Sequence, residues 1–189
     1  MSGLTFARID AVGARQQREI VAGIHRDAYA KRIASGDQFN EPEPFMARFD
    51  NYSSNPRLDL VIAYDDAEPV GQIWGWPVRS TSPTWDGLDT LDVPEPRFTE
   101  EDGTRTFALS EIMVRQSWAG HGIAHAMHDE LLSRRAERRA MLLVDPENSR
   151  AYNAYTSWGW YRVGRLLPSW PNAPYFDVLI LDLPLTRDS

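Results

Sequence analysis

Six consecutive residues hold the densest chemistry in this chain: Ala119, Gly120, His121, Gly122, Ile123 and Ala124. Glycine has no Cβ, so at such a turn backbone N–H groups can close on a ligand. The charged, helically periodic run behind the turn puts a helix N-terminus there, with its unpaired donors and positive dipole end. That combination suits an anion, phosphate above all. No P-loop lysine follows, and no second glycine three residues on, so the Walker and dinucleotide fingerprints are both unmet. His121 stands inside the turn, where it can touch phosphate.

A second chemical feature precedes the turn. Phe107 to Val114 reads as a strand, and Glu111 interrupts its apolar LSEIMV core. Buried carboxylates are rare unless paired or functional. Strand alternation sets Leu109, Glu111 and Met113 on one face and Ser110, Ile112 and Val114 on the other. Glu111 is therefore either a general base or a salt-bridged or edge glutamate. A third feature lies downstream, where Asn148, Ala151, Tyr155 and Gly159 mark a helix and its end. Ala151 and Tyr155 stand one turn apart on one face. His125 and His128 also share a helix face, but no carboxylate trio or His-Glu-x-x-His accompanies them, so no metal is expected.

These residues need a scaffold, and the pattern supplies one. Leu4 to Asp10 alternates as a first strand. Ala14 to Ala34 keeps near-helical apolar spacing at Ile20, Ile24, Ala28 and Ile33, and Ser35-Gly36-Asp37 stops it. Glu41 to Pro44 reads as a stiff turn before a short amphipathic helix holding Phe45, Met46 and Phe49. Leu58 to Tyr64 and Val70 to Val78 read as an antiparallel hairpin. Residues 79 to 105 form a long acidic insertion, with seven acids and one arginine between Asp86 and Asp102. It is either a solvated loop or a lid that attracts a cationic partner.

After the glycine turn a helix is expected from Gly122 to about Arg138, with Arg134, Arg135, Arg138 and Arg139 suited to its C-terminal dipole. Ala140 to Val144 is a strand. Ser149 to Trp158 is a helix capped near Asn148 or Ser149 and ended by Gly159. Arg162 to Leu167 and Phe176 to Leu183 are closing strands, joined by a rigid aromatic loop from Pro168 to Pro174. The order βααβββαβαββ is α/β with a mixed sheet.

The 189 residues suffice for one domain, 1–189, with a real core. No apolar run is long enough to span a membrane, and MSGLTFARID has no signal-peptide core. Cysteine is absent, which excludes a disulfide framework and a thiol nucleophile and permits a cytoplasmic location. The net charge of −7 argues against nucleic acid and leans towards a cationic small partner.

Val114-Arg-Gln-Ser-Trp-Ala-Gly-His-Gly-Ile-Ala124 resembles the acyl-CoA loop of the GNAT superfamily of N-acetyltransferases. The family form is a strand-ending valine, a few residues, then Arg/Gln-Gly-x-Gly-Ile-Gly/Ala. Val114, Gly120, Gly122, Ile123 and Ala124 match; Ala119 replaces the family's arginine or glutamine. Asn148-Ser-Arg-Ala151-Tyr-Asn-Ala-Tyr155-Thr-Ser-Trp-Gly159-Trp160 is similar to the family's Asn-x-x-Ala-x-x-x-Tyr-x-x-x-Gly-Phe, with Trp160 for the final phenylalanine. The resemblance is close from about residue 106 to 167.

The resemblance implies a mixed, mostly antiparallel central sheet flanked by helices. It implies acetyl transfer from acetyl-CoA, as cosubstrate, to a primary amine of a small molecule by direct attack in a ternary complex. Backbone groups of Ile112, Met113 and Val114 would pair with pantetheine, and those of Ala119 to Ala124, His121 included, would hold pyrophosphate. Asn148 would offer its amide to pantetheine, and Ala151 would leave room for the CoA arm. Tyr155 would protonate the departing thiolate or, alternatively, close the pocket wall; Glu111 would be the base. A non-catalytic acyl-CoA-binding module and a protein or peptide acetyltransferase are the alternatives. Monomer and homodimer are equally compatible with the sequence.

Overall fold

The computed structural model describes residues 3–93, 95–169 and 173–185. The aromatic loop expected at Pro168 to Pro174 therefore falls partly outside the described residues. The chain forms two compact units, Met1–Trp76 with Glu111–Ser133, and Pro77–Ser110 with Arg134–Ser189. No helix among the described residues is long and apolar enough to cross a membrane.

In the first unit the sheet runs β1 (Leu4–Asp10), β2 (Asp59–Asp65), β3 (Glu68–Pro77) and the end of β5 (Thr106–Val114). β1 pairs antiparallel with β2 from Leu4↔Asp65 to Asp10↔Asp59. β2 and β3 form the expected hairpin, with Asp66 at positive φ in its turn. Four helices precede β2: α1 (Ala11–Gln16), α2 (Arg18–Ala28), α3 (Ala30–Ala34) and α4 (Pro42–Ser53). The single helix expected at 14–34 is broken at Gln17 and Tyr29. Both leave helical geometry, with ψ near 13°. Glu41 to Pro44 is not a separate turn. Pro42 opens α4, where its fixed φ suits the helix and its missing N–H has no bond to lose. α2 and α4 bury Val21, Ile24, Phe45 and Phe49 against Leu60, Ile62 and Trp74 of the sheet.

α5 covers Ile123–Leu132 and ends earlier than expected. Arg8 of β1 donates to the carbonyls of Glu130 and Leu131 at 3.1 and 3.2 Å while pairing with Asp59 at 2.6 Å. That cation answers the negative end of α5. The dipole role expected of the downstream arginines does not hold for Arg135 and Arg139. Arg135 pairs with Glu137 and Arg139 opens a strand.

The second unit orders the start of β5, then β6 (Arg139–Val144), β8 (Phe176–Asp182), β7 (Tyr161–Leu166) and β4 (Leu88–Leu91), with α6 (Ser149–Ser157) between β6 and β7. β5 and β6 are parallel, and their pairing runs from Thr106↔Arg139 to Ala108↔Met141. β6 continues against β8 as far as Val144↔Asp177. The remaining pairs of this unit are antiparallel.

The acidic insertion is neither a bare loop nor a free lid. It contributes β4, an eighth strand absent from the expected order, and it packs Trp85, Leu88, Val93 and Phe98 into the core with Met141, Val163 and Ile180. Its acids are largely spent on arginines. Asp89 pairs with Arg165, Asp92 with Arg162, Glu95 with Arg105, and Glu101 with the buried Arg139.

Candidate active site

Val114 ends β5, and the next residues are tied down at once. Arg115 donates from Nε to the Pro69 carbonyl at 2.7 Å and lies 3.7 Å from both Asp27 and Glu68. The Gln116 N–H donates to Asp27 Oδ1 at 2.7 Å, and its side-chain amide to the Asp27 carbonyl at 3.0 Å. Trp118 Nε1 donates to Asp65 at 3.3 Å. Sequence reasoning missed Asp27 and Arg115 as loop anchors. No local signal marks them, because their partners are distant in the chain.

The glycine turn follows this anchored segment. Gly120 and Gly122 hold φ of 85° and 78°, the left-handed region open to glycine. A Cβ built on either would meet no atom within 4 Å, so the space beside both is open. Gly122 is the N-cap of α5, and no side chain caps the first-turn donors. His121 is exposed, and Ala119 and Ala124 are partly buried. Ile123 is 1% exposed and pins the helix start into the core. The turn thus offers backbone donors, open room and a helix N-terminus together, which fits a pyrophosphate group.

The structure settles which face of β5 Glu111 takes. Met113 is buried in the core formed by α1, α2 and α4 with β2 and β3, and Gln72 Nε2 lies 3.0 Å from its sulphur. Glu111 stands two residues before Met113 on the same face of the strand, so that face is the helix-covered one. Ile112 and Val114 are partly buried on the other face. Glu111 is partly buried and has neither a hydrogen bond nor an ion pair among the described residues. Burial pushes its carboxyl up to about 7, with the Arg48 charge pulling the other way. Tyr29 is held well above the usual phenol range by burial and then by the Glu111 charge.

His25 lies beside this group. It is 1% exposed, and neither ring nitrogen has a hydrogen-bond partner among the described residues. Its ring stacks on Phe45 at 3.6 Å and stands 5.3 Å from the Tyr29 ring. Burial, then Arg48 and Arg26, lower its pKa to about 4, so it is neutral at physiological pH. None of His25, Tyr29 or Arg48 was singled out from sequence. Nothing in local spacing distinguishes them from surface or core residues of amphipathic helices.

In the second unit Asn148 caps α6, its Oδ1 accepting from the Ala151 N–H at 3.3 Å. Its carbonyl oxygen is therefore engaged, and its NH₂ is the group left to offer. Ala151 is partly buried on the first turn. Tyr155 is partly buried and packs edge-on against Trp158 at 5.7 Å and Trp160 at 6.1 Å. Trp160, in place of the family's phenylalanine, is 2% exposed. Gly159 takes φ of 91° and ends the helix as expected.

His125, His128 and Asp129 bring three ligand atoms within 4.8 Å of one another. One carboxylate, Asp129, thus lies beside the two histidines. It accepts or shares a hydrogen bond with His128 Nδ1 at 2.9 Å, and His128 is 1% exposed. The arrangement reads as a packed, hydrogen-bonded helix turn.

Comparison with solved structures gives the same fold. A GNAT-family acetyltransferase from Streptococcus agalactiae superposes with a TM-score of 0.71 at 9% identity, over 97% of this chain and 98% of that one. PaiA N-acetyltransferase from Thermoplasma acidophilum, solved with coenzyme A, gives 0.58 at 11% identity over 96% and 99%. An aminoglycoside 6′-acetyltransferase type Ii gives 0.61 at 15% identity over 96% and 99%. A search of curated protein sequences finds no match. The family model for the acetyltransferase (GNAT) family matches residues 24–160, a span that takes in Glu111, the glycine turn and Tyr155. With that match and this fold, the chain belongs to the GNAT family of acetyltransferases, acyltransferases that use acetyl-CoA.

Proposed function

We propose that this acetyltransferase moves the acetyl group of acetyl-CoA to the primary amine of a small molecule, by direct attack while both substrates are bound. The observation that carries the reading is Glu111, a partly buried carboxyl with no partner of its own and a pKa near 7. An alkyl ammonium has a pKa near 10.4, so only about 0.1% is neutral at pH 7.4. A base that is half ionised at neutral pH is well matched to removing that proton.

Acetyl-CoA supplies an activated acyl carbon. Backbone N–H groups of Ala119 to Ala124 hold its pyrophosphate, supported by the open space at Gly120 and Gly122 and the uncapped start of α5. Backbone groups of Ile112, Met113 and Val114 serve pantetheine, as do the Asn148 amide and the small Ala151. Glu111 takes one proton from the ammonium so that the amine can attack; as the C–N bond forms and the C–S bond breaks, Tyr155 gives its proton to the thiolate, and the second nitrogen proton, passed through solvent, restores the phenol. One structural relative is named for aminoglycosides, themselves small amines.

Thermal unfolding with acetyl-CoA, beside equal NAD and ATP, tests the first half. At 100 times Kd a ligand stabilises by about 2.7 kcal/mol, roughly 5–11 °C for a chain of this size. A rise specific to acetyl-CoA, then thiol release with a small amine, supports the reading. Binding without turnover on any amine points instead to a non-catalytic module. Turnover confined to peptides points to a protein acceptor.

A further inference from the structure

Around Glu111 the first unit gathers groups that acetyl transfer alone does not require. Arg48 of α4 is partly buried. Its Nη2 donates to the Phe39 carbonyl at 2.8 Å, and its guanidinium carbon lies 3.9 Å above the Phe39 ring. Those two contacts hold the side chain in place and leave most of its five N–H donors unassigned. No carboxylate lies within ion-pair distance of it among the described residues, Glu111 included. The guanidinium also lies 5.8 Å from the Phe45 ring on which His25 stacks, and its charge acts on Glu111, a partly buried carboxyl with no ion pair among the described residues. Tyr29 and the neutral His25 stand beside them, and the two His25 nitrogens are buried and unpartnered. Buried polar groups are almost always paired with protein, water or ligand, so such a set calls for an occupant.

The charges say what kind. A polycationic acceptor would need several uncommitted acids, and Asp37, the other acid whose charge acts on Tyr29, is already committed. Asp37 is bound by Asn40 at 2.8 Å and by the Phe39 N–H at 3.1 Å, with Arg32 at 3.5 Å. What remains beside Glu111 is one cation and neutral donors. Resting on the proposed function, we infer that the acceptor is an amine that also bears a carboxylate, an amino-acid-like zwitterion. Arg48 takes the carboxylate, with Tyr29 and His25 as further hydrogen-bond donors, and the amine turns towards Glu111. Arg48 is then a specificity-determining residue.

The test compares carboxylate-bearing amines with their decarboxylated counterparts: leucine with 3-methylbutylamine, phenylalanine with phenethylamine, lysine with cadaverine, and γ-aminobutyrate with propylamine. Thiol release is measured for wild type, Arg48→Met and Arg48→Lys. Calorimetric binding of the same compounds to CoA-saturated protein gives a readout independent of turnover. In wild type, kcat/KM for the carboxylate member of at least one pair should exceed its counterpart by about tenfold or more. Arg48→Met should bring that ratio towards one, mainly through KM, and abolish calorimetric binding of the carboxylate member. Arg48→Lys should restore part of the ratio. The inference is overturned if wild type treats each pair alike or favours the decarboxylated amine. It is equally overturned if Arg48→Met lowers both members equally, or if no carboxylate member binds or reacts. Turnover of the decarboxylated amines alone would remove this inference and leave the proposed function standing. Failure to bind acetyl-CoA would remove both.

Discussion

The imidazole of His25 lies flat on the ring of Phe45, centroids 3.6 Å apart and planes 5° from parallel, and both its nitrogens are buried without a partner. A core position that accepts this cost holds a group whose polarity serves something other than stability.

His25→Phe keeps the stack and removes the two unpartnered nitrogens. The folded-state pKa near 4 lies below the unfolded value near 6.5. Between those values the unfolded chain binds a proton that the folded chain refuses. Stability from this residue is therefore complete above pH 6.5 and drains away as pH falls towards 4. Urea unfolding should show the variant about 1 kcal/mol or more stabler at pH 7.5, with a gap that widens at pH 5. A gap that stays constant with pH would show that His25 does not titrate as described.

Glu111→Gln should lower kcat by about 10²- to 10⁴-fold, with acetyl-CoA affinity retained. Wild-type kcat/KM should rise with pH through an inflection near 7, and the variant should lose that inflection. The stability effect has the opposite sign to that of His25. A carboxyl raised from 4.5 to about 7 ionises first in the unfolded chain, so stability falls as pH rises through that window. The variant should gain on wild type between pH 5 and 8, by at most about 3 kcal/mol. An unaltered pH–rate profile would remove Glu111 as the base.

Gly122→Ala places a methyl in the open space beside the α5 N-terminus. At φ of 78° the substitution costs about 1–2 kcal/mol of backbone strain. Acetyl-CoA affinity should drop about tenfold or more, while kcat at saturation changes little. Calorimetric titration decides, and an unchanged Kd would mean that the turn does not hold the pyrophosphate.

Tyr155→Phe should lower kcat without weakening acetyl-CoA binding, because the ring packing against Trp158 and Trp160 is retained. Full turnover would leave Tyr155 as a wall residue.

Glu101→Gln tests the role of the insertion. Glu101 accepts from Thr106 at 2.7 Å and Trp85 at 3.0 Å, and pairs with Arg139 at 3.3 Å; both charged side chains are nearly inaccessible. Removing one charge of a buried pair strands the other, at about 3–5 kcal/mol. A shift below 1 kcal/mol in chemical unfolding would show that the insertion is held by its apolar packing alone.

Much of this molecule was legible in residue order. The glycine turn, the N-cap at Asn148 and the stop at Gly159 are local events, decided by backbone freedom and hydrogen bonds within a few residues. The hairpin and the central strand follow from alternation, which is equally local. Glu111 stood out because a carboxylate in an apolar strand needs a reason.

Tertiary structure decided the rest. Apolar spacing ran unbroken from Ile20 to Ile33, and nothing local marked Tyr29 as the break between α2 and α3. The insertion looked acidic and solvated because its arginines, Arg139, Arg162 and Arg165, lie 38 to 76 residues away. Which face of β5 carries Glu111 depends on the helices packed over it, and the loop anchor at Asp27 reaches across 89 residues. Residue order was enough for the turn that can hold a phosphate and the strand that carries the carboxylate. Their surroundings — Arg48, Tyr29 and His25 beside Glu111 — were decided only by packing, because charge and burial are set by neighbours in space.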